Sequence, residues 1–160
     1  MTLKGKVLVV DDEVHIRKFV TQLVTSLGEP VIFQASNGEE ALKVYERERP
    51  VLVLLDVNMP RIDGIETLRR LKLFDPDCNV IMLTSLVNRQ TVEECLHLGA
   101  VAYLRKDNPP DEMTAQLSKI VEDCFGGKPE AGKVEGGKQE ASKADVSKPE
   151  GSKPVGTEPP

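Results

Sequence analysis

Five apolar residues, Val51-Leu52-Val53-Leu54-Leu55, run without a polar interruption into a carboxylate, Asp56. A strand with one face in water alternates apolar and polar residues. A run with no alternation suits a strand buried on both faces, as in a parallel sheet covered by helices. Such a sheet needs a long crossover between parallel strands, so the rest of the chain has to supply helices between further strands. An acid closing a central strand stands where open α/β sheets collect their ligands. After Asp56 the chain turns through Asn58-Met59-Pro60 and restarts at Asp63-Gly64.

The rest of the chain meets that demand. Lys6 to Val10 is a short β-branched run ending in Asp11-Asp12-Glu13. Ile16, Phe19, Val20, Leu23, Val24 and Leu27 follow at helical spacing, with Gly28 as the expected stop. Val31 to Ala35 reads as a strand. Asn37 is placed to cap a helix with Ala41, Leu42 and Tyr45 inward, ended by Pro50. Beyond Asp56, Gly64 to Leu73 carries Ile65, Leu68 and Leu71 on one side. Asn79 to Thr84 reads as a strand, Gln90 to Leu98 as a helix closed by Gly99, and Val101 to Leu104 as a fifth strand. Pro109-Pro110 opens a last helix with Met113, Leu117, Ile120 and Val121 aligned. Strand and helix alternate five times, which predicts an α/β fold: a doubly wound parallel sheet of five strands with five helices and right-handed crossovers.

Composition sets the limits. The 160 residues leave room for one ordinary domain, and the absence of Trp calls for an aliphatic core. A formal net charge of -5 argues against a nucleic-acid binder. Cys78, Cys95 and Cys124 form no metal pattern, and their odd number leaves at least one thiol unpaired, so reduced cytosolic thiols are the simplest reading. No signal-peptide core and no membrane-spanning apolar stretch stands in the sequence, which points to a cytoplasmic protein. From Gly126 the composition changes: Lys128, Lys133, Lys138, Lys143, Lys148 and Lys153 recur every fifth residue among Gly, Pro and Glu. Such a stretch has too little apolar surface to offset its ordering entropy. The expected organisation is a folded domain over 1–125 and a disordered pentapeptide-repeat tail over 126–160.

The strand ends carry the chemistry: Asp11 and Asp12 after the first, Asp56 after the third, Thr84 after the fourth and Lys106 after the fifth. In a parallel sheet these ends share one edge. Crowded carboxylates repel, and a hard divalent cation that prefers oxygen ligands, such as Mg²⁺, would relieve them. Acid, metal, hydroxyl and ammonium around one carboxylate suit phosphoryl transfer. Asp56 would attack phosphorus in line while the metal, Thr84 and Lys106 hold the phosphoryl oxygens.

Asp11-Asp12, the segment from Asp56 through Asn58-Met59-Pro60 to Asp63-Gly64, Thr84-Ser85, Tyr103 and Lys106 together resemble the receiver domain of bacterial two-component response regulators. The match runs from about Lys4 to Phe125, in order, spacing and placement on strands. The resemblance implies a flavodoxin-like sheet in 2-1-3-4-5 order. It implies that Asp56 accepts phosphate from a sensor histidine kinase or a histidine phosphotransfer protein. Asp12 would bind Mg²⁺ directly, Asp11 through water, and the backbone carbonyl of Asn58 would be a further ligand. Thr84 and Tyr103 would form the conformational relay to a downstream protein, read on the face of the fourth helix, fifth strand and fifth helix. Such a protein is a signalling switch that takes part in its own phosphorylation and dephosphorylation, not a conventional enzyme.

Two departures from the family pattern bear on this. Asp107, not Pro, follows Lys106, with prolines delayed to Pro109-Pro110, so a cis-proline after the lysine is excluded. The stretch after Phe125 is also too polar to form a helix-turn-helix effector, so a stand-alone receiver without direct DNA binding is expected. Competing readings are weaker. A haloacid-dehalogenase-type phosphatase needs a second acid two residues after the nucleophile, where Asn58 stands. A constitutive scaffold would not need the acid, hydroxyl and lysine set, and no P-loop motif follows the first strand. Taken singly, Asp56 could be a turn residue, Asp11-Asp12-Glu13 a helix-dipole pairing, Lys106 a solvated lysine and Tyr103 a packing residue. Their joint placement favours the site. His15 and His97 have no partner pattern, and the cysteines are expected to pack as small apolar residues.

Overall fold

The strands, numbered in chain order, form one sheet in the order second, first, third, fourth, fifth, and each pairs with its neighbours in parallel. The computed structural model describes residues 2–85 and 88–126. Its elements are β1 Leu3–Val10, α1 Val14–Thr25, β2 Gly28–Ala35, α2 Gly38–Glu48, β3 Leu52–Asp56, α3 Gly64–Phe74, β4 Val80–Thr84, α4 Arg89–His97, β5 Ala102–Arg105 and α5 Pro110–Phe125. The expected five-stranded flavodoxin-like order is the one observed. One unit covers Met1–Val121; the second, Glu122–Pro160, is described only as far as Gly126. The repeat tail expected beyond Gly126 lies outside the described residues.

The apolar runs behave as strands buried on both sides. All five residues of β3 and all five of β4 are buried. Successive strand side chains point to opposite faces. Leu8, Val10, Val53, Leu55, Val80 and Met82 join a cluster with Ala41, Val44 and Tyr45 of α2, Leu68 and Leu71 of α3 and Cys95 of α4. The alternate positions Val7, Val9, Leu52, Leu54, Ile81 and Leu83 are equally buried. Helices α1 and α5 contribute buried Val20, Leu23, Val24, Met113, Leu117 and Val121. Cys78 and Cys95 are buried in the cluster as small apolar groups.

Three helices start on side-chain caps. Asn37, Asp63 and Asn88 each accept a hydrogen bond from the backbone N–H three residues on, at Glu40, Glu66 and Thr91. Each satisfies a donor that the first helical turn leaves open. Asp63 fixes where the chain re-enters helix after β3.

The elements differ from the sequence expectation at one end of the sheet. Gly28 does not stop α1, which ends at Thr25 with Ser26 as its cap. It is the first residue of β2, and β1 begins at Leu3, so the edge strand β2 and its neighbour β1 pair from Leu3↔Gly28 onward. A Cβ on Gly28 would lie 2.1 Å from the Leu3 carbonyl oxygen. Only a residue without a side chain lets the strands meet there.

Replacing Gly28 with Ala therefore forces backbone apart rather than filling space. Gly28→Ala is expected to lower stability by about 1–3 kcal/mol, read as a lower urea midpoint with an unchanged slope. A midpoint within error of the parent would show that the β1–β2 pairing can yield at no cost.

Candidate functional site

The sheet register delivers the site. Val10 pairs with Leu55, so the next residues along each strand, Asp11 and Asp56, stand side by side. Thr84 pairs with Arg105, and the Lys106 N–H donates to the Thr84 carbonyl at 2.8 Å, which brings Lys106 to the same edge. The Lys106 ammonium then reaches both acids: Nζ is 2.8 Å from Asp11 Oδ2 and 2.8 Å from Asp56 Oδ1. Asp11 is fully buried, Asp56 is 2% exposed and Thr84 is 3% exposed, whereas Asp12 and Asn58 lie at the exposed rim. Tyr103 is on β5 and 40% exposed, outside this cluster. His15 and His97 are exposed and take no part in it.

The loops hold the acids in place. Asp11 Oδ1 accepts from the Glu13 N–H at 2.9 Å, and the Asp11 N–H donates to the Ala35 carbonyl at 3.1 Å. Asp56 Oδ1 accepts from the Asn58 N–H at 3.3 Å, and the Val57 N–H continues the ladder to the Leu83 carbonyl. Gly64 then returns the chain, donating to the Val57 carbonyl at 2.8 Å. A Cβ there would lie 2.1 Å from the Asp56 carbonyl oxygen. The residue expected to serve a turn is thus also the one that lets α3 start against the Asp56 backbone. The sequence reading missed Arg17, whose Nη1 donates to the Asp11 carbonyl at 2.7 Å. A basic side chain one turn into α1, just after the acids, was the available signal.

The electrostatics follow from burial. Burial pushes the Asp56 carboxyl up to about 6; the Lys106 ammonium opposes this and the neighbouring Asp11 adds to it. Burial works against the Lys106 ammonium too, but its bonds to Asp11 and Asp56 outweigh that and raise it above its ordinary value.

Oxygen atoms of Asp11, Asp12 and Asp56 all lie within 4.8 Å of one another. Three carboxylates against one ammonium leave two negative charges uncompensated. Asp11 Oδ2 is buried and takes no aligned hydrogen bond from a described donor, although the Lys106 ammonium is in ion-pair contact with it. An all-oxygen donor set in which three carboxylates share one contacting ammonium suits a hard divalent cation such as Mg²⁺.

The sequence model of the response regulator receiver domain matches residues 7–118. Sporulation initiation phosphotransferase F of Bacillus subtilis (strain 168) is 38% identical over 117 residues, covering 73% of this chain and 94% of the relative. The probable transcriptional regulator ycf27 of Pyropia yezoensis is 42% identical over 118 residues, 74% of this chain and 48% of the regulator, so the chain spans about half that relative's length. Among solved structures, the CheX-CheY-BeF3-Mg+2 complex from Borrelia burgdorferi superposes with a TM-score of 0.69 at 36% identity, covering 76% of this chain and 89% of the matched one.

The raised carboxyl sets a pH dependence for the metal-free protein. Asp56 moves from 3.8 to about 6 on folding, so its protonated form favours the fold. That contribution is complete below 3.8 and is lost as the pH rises through about 6. In EDTA, Asp56→Asn is expected to melt higher than the parent at about pH 7.5, with the gap closing toward about pH 4. A gap that does not change with pH contradicts this account of the buried acid.

Proposed function

From a chain that belongs to the response regulator receiver domain family, we propose that Asp56 accepts a phosphoryl group from a phosphohistidine and that the change is read by a protein partner. The observation that carries this is the Lys106 ammonium held 2.8 Å from both Asp11 and Asp56 at the carboxyl edge of the sheet. Receiver domains are signalling switches, so the donor is a sensor histidine kinase or a histidine phosphotransfer protein.

The chain's own groups divide the work. Asp56 supplies the attacking carboxylate oxygen: an oxygen–phosphorus bond forms, the phosphorus–nitrogen bond to the donor breaks, and the imidazole leaves. Lys106 is already oriented on Asp56 and can neutralise an incoming phosphoryl oxygen without reorganising. Thr84, one residue beyond the Leu83 position that pairs with Asp56, supplies a hydroxyl on the same edge. Asp11, Asp12, Asp56 and the Asn58 backbone carbonyl would hold Mg²⁺. When bound, Mg²⁺ supplies positive charge against the acids and the phosphoryl oxygens.

Output follows from Thr84. A charge-assisted hydrogen bond from its hydroxyl to the phosphoryl group is worth about 1.5–3 kcal/mol, enough to tip an element whose minor form is already populated. Drawing Thr84 toward Asp56 opens space that Tyr103, half exposed on β5, can enter. Tyr103, Arg105, Gln116 and Lys119 line a groove of about 320 Å³ between β5 and α5, within the surface of α4, β5 and α5 where a partner would dock. The reading covers protein–protein output in the cytoplasm, without direct DNA contact. No helix among the described residues is long and apolar enough to cross a membrane.

Two outcomes test the proposal. Incubation with acetyl phosphate and Mg²⁺ is expected to add one phosphate by intact mass; an equal adduct in EDTA or in Asp56→Asn contradicts it. In NMR spectra with beryllofluoride, shifts are expected in α4 and β5 as well as around Asp56, and Thr84→Ala is expected to accept phosphate but lose the distant shifts. Shifts confined to the site loops in the parent, or undiminished transmission in Thr84→Ala, would remove this relay.

A further inference from the structure

Asp11 sits where the β1 ladder stops. Its N–H still has a partner in β2, the Ala35 carbonyl at 3.1 Å. Asp11 is fully buried, and a buried carbonyl left unpaired is costly. The hydrogen bond its carbonyl receives comes from Arg17, whose Nη1 donates at 2.7 Å. Arg17 is held in turn by Gln34 of β2, whose Oε1 accepts from Arg17 Nε at 3.2 Å. The backbone of Arg17 also donates to the Glu13 carbonyl at 3.0 Å. One residue therefore ties the peptide of the first acid to both ends of the Asp11-Asp12-Glu13 turn and to the neighbouring strand.

We propose that Arg17 is a positioning residue for the divalent cation: its guanidinium fixes the Asp11 peptide and so sets where the Asp11 and Asp12 carboxylates present their oxygens. The inference rests on the reading of those acids as the metal's ligands. The fork of the guanidinium suits the task, because one nitrogen can hold the carbonyl while another is anchored on Gln34. Rotation of the Asp11 peptide would swing both carboxylates, since Asp12 follows directly on that carbonyl. Groups that orient metal ligands without touching the metal commonly alter affinity by an order of magnitude or more.

The sign of the effect separates positioning from charge. Arg17 is itself a cation near an acidic cluster. If it acted only through its field, removing it would tighten Mg²⁺ binding. If it acted only in packing, removing it would lower the melting temperature and leave Mg²⁺ affinity unmoved. Loss of positioning weakens Mg²⁺ binding.

The experiment is calorimetric titration of the full chain with Mg²⁺ alone, beside thermal melts of each variant. Arg17→Met, which keeps the length and removes the fork, is expected to weaken Mg²⁺ binding roughly tenfold. Arg17→Lys keeps the charge with a single donor group and should fall between the two. Gln34→Ala, at an exposed position, frees the guanidinium without removing it and keeps the test available if Arg17→Met does not fold; a smaller weakening is expected. Unchanged or tighter Mg²⁺ binding in the folded variants overturns the inference while leaving the metal site standing. No Mg²⁺ binding by the parent chain overturns both.

Discussion

Two carboxylates buried side by side at the end of a sheet repel each other, and one ammonium holds them. Lys106 lies 2.8 Å from Asp11 and from Asp56, and removing it would leave two buried charges facing an apolar sheet. The arrangement is an incomplete neutralisation, because Asp12 adds a third acid at the rim. An incompletely neutralised buried site is a poor stability device, since apolar residues of similar volume would serve the fold at least as well. It is a good receptor for positive charge and for a group whose negative charge the ammonium and a cation can share. The functional reading of the chain grows from that imbalance.

The rest of the fold keeps the imbalance in register. Asp11 and Asp56 are level only because β1 and β3 are parallel neighbours with Val10 opposite Leu55. Lys106 reaches them across β4 because β5 lies at the far side of the same edge, with its following N–H tied to the Thr84 carbonyl. The helices fix the heights of the loops. Asp63 caps α3, and Gly64 lets the helix begin against the Asp56 carbonyl, where any side chain would collide. Arg61, between Pro60 and this cap, adopts a left-handed φ of 65°, a conformation that costs a residue with a side chain energy and that the loop imposes. Strain in the loop that follows Asp56 fits a loop shaped for its site and not for stability alone.

Much of this was legible in the residues. Unbroken apolar runs mark strands buried on both faces, and β3 and β4 are buried throughout. Acids, a hydroxyl and a lysine at the ends of the first, third, fourth and fifth strands converge by topology alone, and Lys106 is in contact with both Asp11 and Asp56. Asn37 was read correctly as a cap because capping is local, set by a side chain three residues from its partner. The features that escaped are contacts between distant residues. Gly28 looked like a helix stop because its sequence neighbours are helical, but its role is decided by the Leu3 carbonyl on another strand. Arg17 carries no motif that singles it out, because its partner is a backbone carbonyl whose need for a donor depends on where β1 ends. Periodicity records which way a side chain faces, not which backbone group it meets.

We propose that Asp56, among the three acids gathered here, is the one that carries the phosphoryl group. Borohydride reduction of the phosphorylated protein converts an aspartyl phosphate to homoserine, and peptide mapping by mass spectrometry locates it. Homoserine is expected at position 56 and at no other acid. Homoserine at position 11 or 12, with position 56 unmodified, would contradict it.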